Sequence, residues 1–187
     1  MPKKQATTRI IGGSLKGSKL PFKERKSTRP TESKTKETLF NWLLNDLEGK
    51  TCLDMFAGTG SLGIEALSRG AKKVVFIEKK KSQVVSLKAN LKRLKVYDSS
   101  HVINANAFSI DFNNLPYQFD ILFIDPPFRE NLIQRSLDYI NSKNILSSRA
   151  LIYLECEREL ELEKITKDLN LLKRSKGGQT QYCLYES

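Results

Sequence analysis

The fold is decided by the stretch Thr51–Gly63, T-C-L-D-M-F-A-G-T-G-S-L-G. Its apolar first half predicts a short buried strand, and the glycines at positions 58, 60 and 63 predict a tight loop that opens a helix. A strand, a glycine loop and a helix in this order are typical of the first unit of a parallel, doubly wound sheet. The stretch therefore predicts a ligand site where its strand ends.

The chain on either side of this stretch alternates between helix and strand patterns. Helical spacing of apolar residues predicts helices at 31–47, within 58–70, and at 80–94, 131–140 and 160–169. Apolar, β-branched runs predict strands at 51–56, 73–78, 101–106, 120–125, 150–155, 171–176 and 180–186. This pattern predicts an α/β, Rossmann-like fold with a mostly parallel seven-stranded sheet, helices on both faces and an antiparallel last strand.

Length and composition exclude several classes of protein. At about 150 residues per domain, 187 residues predict one domain with an extension. The apolar runs are far shorter than the roughly 20 residues of a membrane span, and no apolar segment follows the basic start, so no secretory signal is expected. Three cysteines without a C-x-x-C pair, Cys52, Cys156 and Cys183, and a single histidine predict no metal site and a reduced, cytoplasmic setting.

The positive charge is concentrated at the N-terminus. Residues 1–36 hold eight lysines and three arginines against two glutamates, a net +9, whereas the other 151 residues carry only +2 of the total of +11. Apolar residues and glycines in this segment predict a hairpin with strands at roughly 8–12 and 18–22. We therefore divide the chain into a basic arm, 1–30, that meets a polyanion, and a domain, 31–187; the alternative for the arm is a solvated tail.

The glycine loop fits two cofactors. Gly58-x-Gly60-x-x-Gly63 matches the dinucleotide fingerprint, and Glu78 ends the next strand, where a carboxylate can hold ribose hydroxyls. A nicotinamide dinucleotide and S-adenosylmethionine both satisfy these features. Asp54 favours S-adenosylmethionine, because a carboxylate this close to the loop repels a pyrophosphate and attracts an ammonium and a sulfonium. The alternative for Asp54 is a carboxylate that only caps the loop.

A second motif, D-P-P-F at 125–128, follows the fourth predicted strand of the domain. Prolines cannot continue the sheet, so their carbonyls and the Asp125 carboxylate can accept hydrogen bonds from a planar NH₂ group, with Phe128 as a stacking face. Such bonds would aim the nitrogen lone pair at a sulfonium methyl group, so that catalysis consists of orientation. The alternative is a strand-ending turn. Asn106, which ends the third predicted strand of the domain, also has two interpretations: it contacts an adenine, or it forms a turn.

The order of D-x-F-A-G-T-G, Glu78 and D-P-P-F resembles class I S-adenosylmethionine-dependent amino methyltransferases. Further segments resemble the bacterial 16S rRNA guanine-N2 methyltransferases, whose target is guanine 966 of the small-subunit RNA. These segments are R-I-I-G-G (9–13), K-L-P (19–21), R-P-T (29–31), E-T-L-F-N-W-L (37–43) and V-I-N-A-N-A (102–107). The likeness extends over almost the whole chain, and the N-terminal segments are its specific part.

The resemblance implies a role for particular residues. The residues implied to bind S-adenosylmethionine are Thr31, Asp54, Phe56, Ala57, Gly58, Thr59, Gly60, Glu78, Asn106 and Ala107. Those implied to carry the target amine are Asp125, Pro126, Pro127 and Phe128. Those implied to contact RNA are Arg9, Lys16, Lys19 and Arg29. The implied partner is 16S rRNA or the small ribosomal subunit, and we expect a monomer without a metal or a membrane.

One segment departs from the family pattern. After R-P-T the family has an acidic residue and two arginines where this chain has Ser33, Lys34 and Lys36. The lysines keep the charge but lose the bidentate geometry of a guanidinium.

Three other functions compete with guanine methylation. The first is methylation of a different amine, such as adenine N6 in DNA or RNA or a protein glutamine amide. The second is a nicotinamide dehydrogenase, and the third is a non-catalytic RNA-binding module. The concentrated basic arm favours a nucleic acid, and the carboxylates Asp54, Glu78 and Asp125 favour an enzyme.

Overall fold

The computed structural model describes residues 6–22, 30–128 and 130–187. The basic arm contains an antiparallel hairpin of β1 (Ala6–Arg9) and β2 (Lys19–Phe22), with Arg9 opposite Lys19. A hairpin was predicted here, but its first strand ends at Arg9 rather than at residue 12. Ile10 and Leu20 are buried in the same apolar cluster as the domain's helices. Within the described ranges, no helix is both long and apolar enough to cross a membrane.

The described residues of the domain form five helices and a seven-stranded sheet. The helices are α1 (Pro30–Trp42), α2 (Ser61–Ser68), α3 (Lys81–Arg93), α4 (Leu132–Lys143) and α5 (Leu162–Ile165). The strands are β3 (Thr51–Asp54), β4 (Lys73–Ile77), β5 (Ser100–Ile103), β6 (Phe119–Ile124), β7 (Leu146–Glu157), β8 (Asn170–Gly177) and β9 (Thr180–Glu186).

The sheet has the order β5-β4-β3-β6-β7-β9-β8. Strands β3 to β7 pair in parallel, and β9 is antiparallel to both of its neighbours. The predicted α/β, Rossmann-like sheet with an antiparallel last strand is therefore confirmed. Because the chain runs outward from β3 through β4 to β5 and then returns to β6 on its other side, the switch point lies between β3 and β6. Ligands of open α/β sheets bind at such a point.

Alternate residues of each strand enter two separate cores. Cys52, Val74 and Phe123 face the helices α1 to α3 and the hairpin. Leu53 and Val75 belong to the opposite core, which contains the apolar side of α4. Because both faces of the sheet are covered, its strands are almost continuously apolar. Strand β3, although only four residues long, lies inside the sheet between β4 and β6.

Several predicted element limits were wrong. Helix α1 is described from Pro30, one residue before the predicted start at residue 31. It ends at Trp42 rather than residue 47, and Leu44 is exposed in the turn that follows. The predicted helix at 160–169 shrinks to Leu162–Ile165 because residues 166–169 turn into β8.

Candidate functional site

Three carboxylates lie at one edge of the sheet, beside the switch point. Asp54 ends β3, Glu78 follows β4 and Asp125 follows β6. The register places Asp54 opposite Phe123, two residues before Asp125, so the two motifs found in the sequence meet at the carboxyl ends of neighbouring strands. The negative charges of Asp125 and Glu78 both raise the pKa of Asp54, as expected for carboxylates at neighbouring strand ends.

Asp54 is a buried carboxylate with a raised pKa. Its side chain accepts a hydrogen bond of 3.1 Å from the Gly63 N–H of α2. Burial raises the pKa of Asp54 to about 7, the Gly63 N–H opposes this, and the charges of Asp125 and Glu78 raise it further. Gly63 is needed at this contact because a Cβ there would lie 2.2 Å from the Phe76 ring. An ionised Asp54 therefore favours a positively charged ligand.

The loop Phe56–Gly60 is held by its own backbone and by Glu78. The Ala57 N–H donates to the Ile77 carbonyl at 2.9 Å, and Gly60 adopts a φ of +79° immediately before α2. Glu78 accepts 2.9 Å from the Gly58 N–H and 2.7 Å from the Lys80 N–H, one on each oxygen. Each carboxylate oxygen keeps acceptor capacity for a ribose hydroxyl.

Asn106 and Ala107 follow β5 at the same edge. The Asn106 side-chain oxygen accepts 3.0 Å from the Phe108 N–H, and its carbonyl accepts 2.9 Å from the Ser109 hydroxyl. The oxygen thus forms a turn, which is the alternative considered from the sequence. The Asn106 side chain is exposed while Ala107 is buried, so a base could lie against this turn.

The D-P-P-F corner has both exposed and buried residues. Asp125 and Phe128 are exposed, with Phe128 at 42%, whereas Pro126 is buried. The β6–β7 register brings Glu155 beside Asp125, and Glu155 accepts 2.8 Å from the hydroxyl of Tyr153. Burial raises the pKa of Tyr153 well above its usual value, and the charges of Glu155 and Asp125 add to the shift. Glu155 therefore belongs to the same edge of the sheet.

An aromatic wall beside the glycine loop was missed in the sequence. The rings of Phe56 and Phe108 meet edge to face with centroids 6.1 Å apart. The guanidinium of Arg135, in the first turn of α4, lies 4.1 Å from the centroid of Phe108. The only signal for this contact was an aromatic residue directly after Asn106-Ala107, since Arg135 is distant in sequence.

A second missed group, which we call the arm latch, consists of Lys36, Glu65, Ser68 and Arg69. Glu65 is fully buried and accepts from the Ile11 and Gly12 N–H groups, each at 2.8 Å, and from Arg69 Nε at 2.9 Å. Its ion pair with Lys36 spans 3.4 Å. The signal was a glutamate among apolar helix positions, but its partners in the arm, Ile11 and Gly12, are more than 50 residues away.

Lys36 joins the arm latch to the glycine loop. Its ammonium donates to the Arg9 carbonyl and, at 3.2 Å, to the hydroxyl of Ser61, the first residue of α2. Burial lowers the pKa of Lys36 while Glu65 opposes that shift. Of the three residues that depart from the family pattern, Lys36 is buried, whereas Ser33 and Lys34 are exposed.

Ser68 and Gly13 complete the docking of the arm. The Ser68 hydroxyl donates to the Gly12 carbonyl and accepts 2.9 Å from the Leu15 N–H. A Cβ at Gly13 would lie 1.8 Å from the Ser68 carbonyl oxygen, and Gly13 has a φ of +71°, so the second glycine of R-I-I-G-G is required by close approach.

The residues expected to contact RNA are only partly described. Arg9, Lys16 and Lys19 are exposed on the hairpin. Arg29 and the side chain of Thr31 lie outside the described residues. Among the residues that the structure describes, no group of three or more His, Cys, Asp or Glu side chains could hold a metal ion.

Comparison with known proteins gives matches along the full length. Residues 8–186 match the family described as Conserved hypothetical protein 95. Ribosomal RNA small subunit methyltransferase D of Haemophilus influenzae is 43% identical over 100% of this chain and 97% of its own length. The Escherichia coli K12 protein of the same name is 39% identical, over 95% and 89%. The chain belongs to this methyltransferase family.

A solved structure agrees with this assignment. A putative methyltransferase, yhhF, from Escherichia coli is 37% identical and superposes with a TM-score of 0.86, covering 97% of this chain and 98% of that one. Membership of the family confirms the predicted fold and the predicted cofactor, S-adenosylmethionine.

The chemistry of the site fits this cofactor. S-adenosylmethionine carries an ammonium and a sulfonium and has no phosphate, and the strand ends beside the switch point carry the carboxylates Asp54, Glu78 and Asp125. A dinucleotide would bring a pyrophosphate close to these carboxylates. The residues that could hold the cofactor are therefore Asp54 and Glu78 with the loop Phe56–Gly60, and Asn106-Ala107 at the adenine end.

Proposed function

We propose that this chain methylates the exocyclic N2 of a guanine in 16S rRNA, acting as a monomer on the small ribosomal subunit in the cytoplasm. Its relatives are named ribosomal RNA small subunit methyltransferases. The observation that carries the proposal is the meeting of Asp54 and the D-P-P-F corner at the switch point, where the charge of Asp125 acts on Asp54. A cofactor and an amine acceptor site thereby share one space.

In this proposal different residues of the site bind the different chemical groups of the cofactor. Asp54 attracts the ammonium, Glu78 accepts from the ribose hydroxyls, and Asn106-Ala107 lie against the adenine. When bound, S-adenosylmethionine supplies an electrophilic methyl group. The backbone of Phe56–Gly60, which is fixed by Ile77 and Glu78, sets the position of the cofactor.

The D-P-P-F corner orients the amine. The Asp125 carboxylate and the Pro126 carbonyl accept hydrogen bonds from the two hydrogens of an exocyclic NH₂, which directs the nitrogen lone pair toward the glycine loop. Asp125 then holds the proton that the nitrogen releases. Phe128 offers an exposed ring on which the target base can stack, and Pro127 keeps the corner rigid.

The test is transfer of label from radioactive S-adenosylmethionine to small ribosomal subunits from a strain that lacks the enzyme. We expect all label in N2-methylguanosine after digestion of the 16S rRNA to nucleosides. Label on adenine, in protein or in no product would overturn the proposal.

The assigned role of Asp125 has its own test. Asp125→Asn should lower turnover by at least about 100-fold, since it removes a charge-assisted acceptor, while cofactor affinity changes little. The matched control is Asp98→Asn, which alters an exposed aspartate in the turn before β5 and should leave turnover unchanged.

A further inference from the structure

A cavity of about 430 Å³ lies between the hairpin and helix α1, away from the cofactor site. Small-molecule sites occupy about 300–1,000 Å³, so this cavity is large enough for part of a nucleotide. Three cations, Arg9, Lys16 and Arg69, line it together with Glu37 and Asn41. The mixture of positive charge, one carboxylate and one carboxamide distinguishes it from a simple basic patch.

One of the cations has a fixed orientation. Arg69 Nε donates to the buried Glu65, and the guanidinium carbon lies 5.1 Å from the centroid of the Phe40 ring. The side chain of Arg69 is 16% exposed, so a preset planar cation forms part of the cavity wall. A fixed guanidinium can bind a phosphate through two N–H groups or stack on a base.

The two other polar groups stand one helical turn apart. Glu37 and Asn41 are four residues apart on α1, which places them on one face of the helix. In the described part of the chain, neither side chain has a hydrogen bond or an ion pair. Glu37 can accept from base N–H groups and Asn41 can both donate and accept, whereas Glu37 repels a second phosphate.

The cavity is held at a fixed position relative to the glycine loop. Glu65 binds the backbone of the cavity residue Ile11, while Lys36 links Glu65 to Ser61 at the start of α2. Helix α2 has eight residues and, at about 1.5 Å per residue, is about 12 Å long. The cavity residues Ile11 and Arg69 and the start of the glycine-loop helix are therefore joined through one short helix.

We infer that this cavity binds one nucleotide of the RNA substrate that flanks the target guanine, with its phosphate on Arg9, Lys16 and Arg69 and its base edge on Glu37 and Asn41. The inference rests on the proposed function for the identity of the substrate. It extends that function because it assigns the recognition of RNA sequence to Glu37 and Asn41, which lie away from the sheet edge that carries Asp54 and Asp125.

The test measures the binding of hairpin oligoribonucleotides that carry a loop guanine and each of the four bases at the flanking positions. The variants Glu37→Gln and Asn41→Ala should each weaken binding of the preferred RNA by about five- to tenfold and reduce the preference among bases. Glu37→Gln should at the same time strengthen binding of heparin, because it removes a negative charge. The matched control Glu159→Gln, at an exposed site, should change neither affinity.

Turnover separates this inference from the proposed function. In the two variants, KM for the RNA should rise about five- to tenfold with kcat and the melting temperature unchanged. If the wild-type chain methylates guanine N2 but both variants keep wild-type RNA affinity, or bind every RNA more tightly, the inference is wrong and the proposed function stands. If the wild type methylates no RNA, the proposed function fails. Base-selective binding of oligonucleotides that is lost in the two variants would still support a nucleotide site in the cavity, and its absence would contradict one.

Discussion

Asp54 and Glu65 are both buried carboxylates, one bonded to helix α2 and the other part of it, but their surroundings differ. Asp54 accepts one hydrogen bond in the described part of the chain, from Gly63 at 3.1 Å. Glu65 accepts three, from Ile11, Gly12 and Arg69, and also forms an ion pair with Lys36.

The difference in the number of partners suits the two carboxylates to different roles: Glu65 stabilises the fold, and Asp54 can accept a ligand. Burying a charge is costly unless donors satisfy it. Glu65 is satisfied by the chain itself and fixes the arm. Asp54 is left with a pKa near 7 and regains its charge most readily beside a cation. Helix α2 thus contacts Asp54 through Gly63 in its first turn and contacts the arm through the buried side chains of Glu65 and Ser68.

The largest effect is expected from Glu65→Leu. This change leaves the buried Lys36 ammonium and the N–H groups of Ile11 and Gly12 without their acceptor, so the free energy of unfolding should fall by about 3–5 kcal/mol. Chemical denaturation measures the change. The double variant Lys36→Met/Glu65→Leu should recover part of the loss, because the buried ammonium is then removed together with its carboxylate; Arg69 still loses its partner, so recovery should be incomplete.

An exposed ion pair provides the control for Glu65. Glu161 is 63% exposed and pairs with Lys164, so Glu161→Leu should alter stability by no more than about 0.5 kcal/mol. Equal effects of the two substitutions would contradict the structural role of Glu65.

The next effect, of opposite sign for stability, is expected from Asp54→Asn. The cofactor-free chain should become more stable by about 1–3 kcal/mol at pH 8, since a buried, ionised carboxylate with a raised pKa is removed. The dissociation constant of S-adenosylmethionine should rise about 10- to 100-fold, because a charge-assisted contact to the ammonium is lost. Calorimetric titration and denaturation of the same variant measure both. Loss of stability together with unchanged cofactor binding would place Asp54 in the same class as Glu65.

The pH dependence of cofactor binding should also distinguish the two carboxylates. Below pH 7 Asp54 becomes protonated and neutral, so affinity for the cationic cofactor should fall by up to about tenfold per pH unit between pH 7 and 5.5. The sign follows from the bound cation, which favours the ionised form and lowers the pKa of Asp54 in the complex. In Asp54→Asn this slope should disappear. A slope that persists in that variant would assign the titration to another group.

The position of Asp54 at the end of a central strand was predictable from the sequence, whereas the contacts of Glu65 were not, for a physical reason. Asp54 belongs to a local pattern, a buried strand followed by a glycine loop, whose geometry depends on adjacent residues. Glu65 depends on Ile11 and Gly12, more than 50 residues earlier, and a lone glutamate in an apolar helix face gives no indication of its partners.

The same distinction applies to the fold. The strands at 51–56, 73–78 and 120–125 were predictable because burial on both faces makes them apolar throughout. The end of α1 was not, since Leu44 continues the helical pattern but the chain turns away and exposes it. From the sequence, R-I-I-G-G served only as part of the family resemblance; the structure adds that Gly13 is required by the closeness of Ser68.

The smallest effect is expected from Ser68→Ala, which tests whether the arm is docked by more than Glu65. The substitution removes a donor to the Gly12 carbonyl and an acceptor from the Leu15 N–H, and stability should fall by about 1 kcal/mol. Hydrogen exchange at the Leu15 amide should become about fivefold faster. The control Ser142→Ala removes a hydroxyl that bonds only within α4, to the Tyr139 carbonyl, and should leave that amide unchanged. Unchanged exchange at Leu15 in Ser68→Ala would mean that the Ser68 hydroxyl does not help to hold the arm, so that among the side chains of α2 the contrast with Asp54 would depend on Glu65 and its partners.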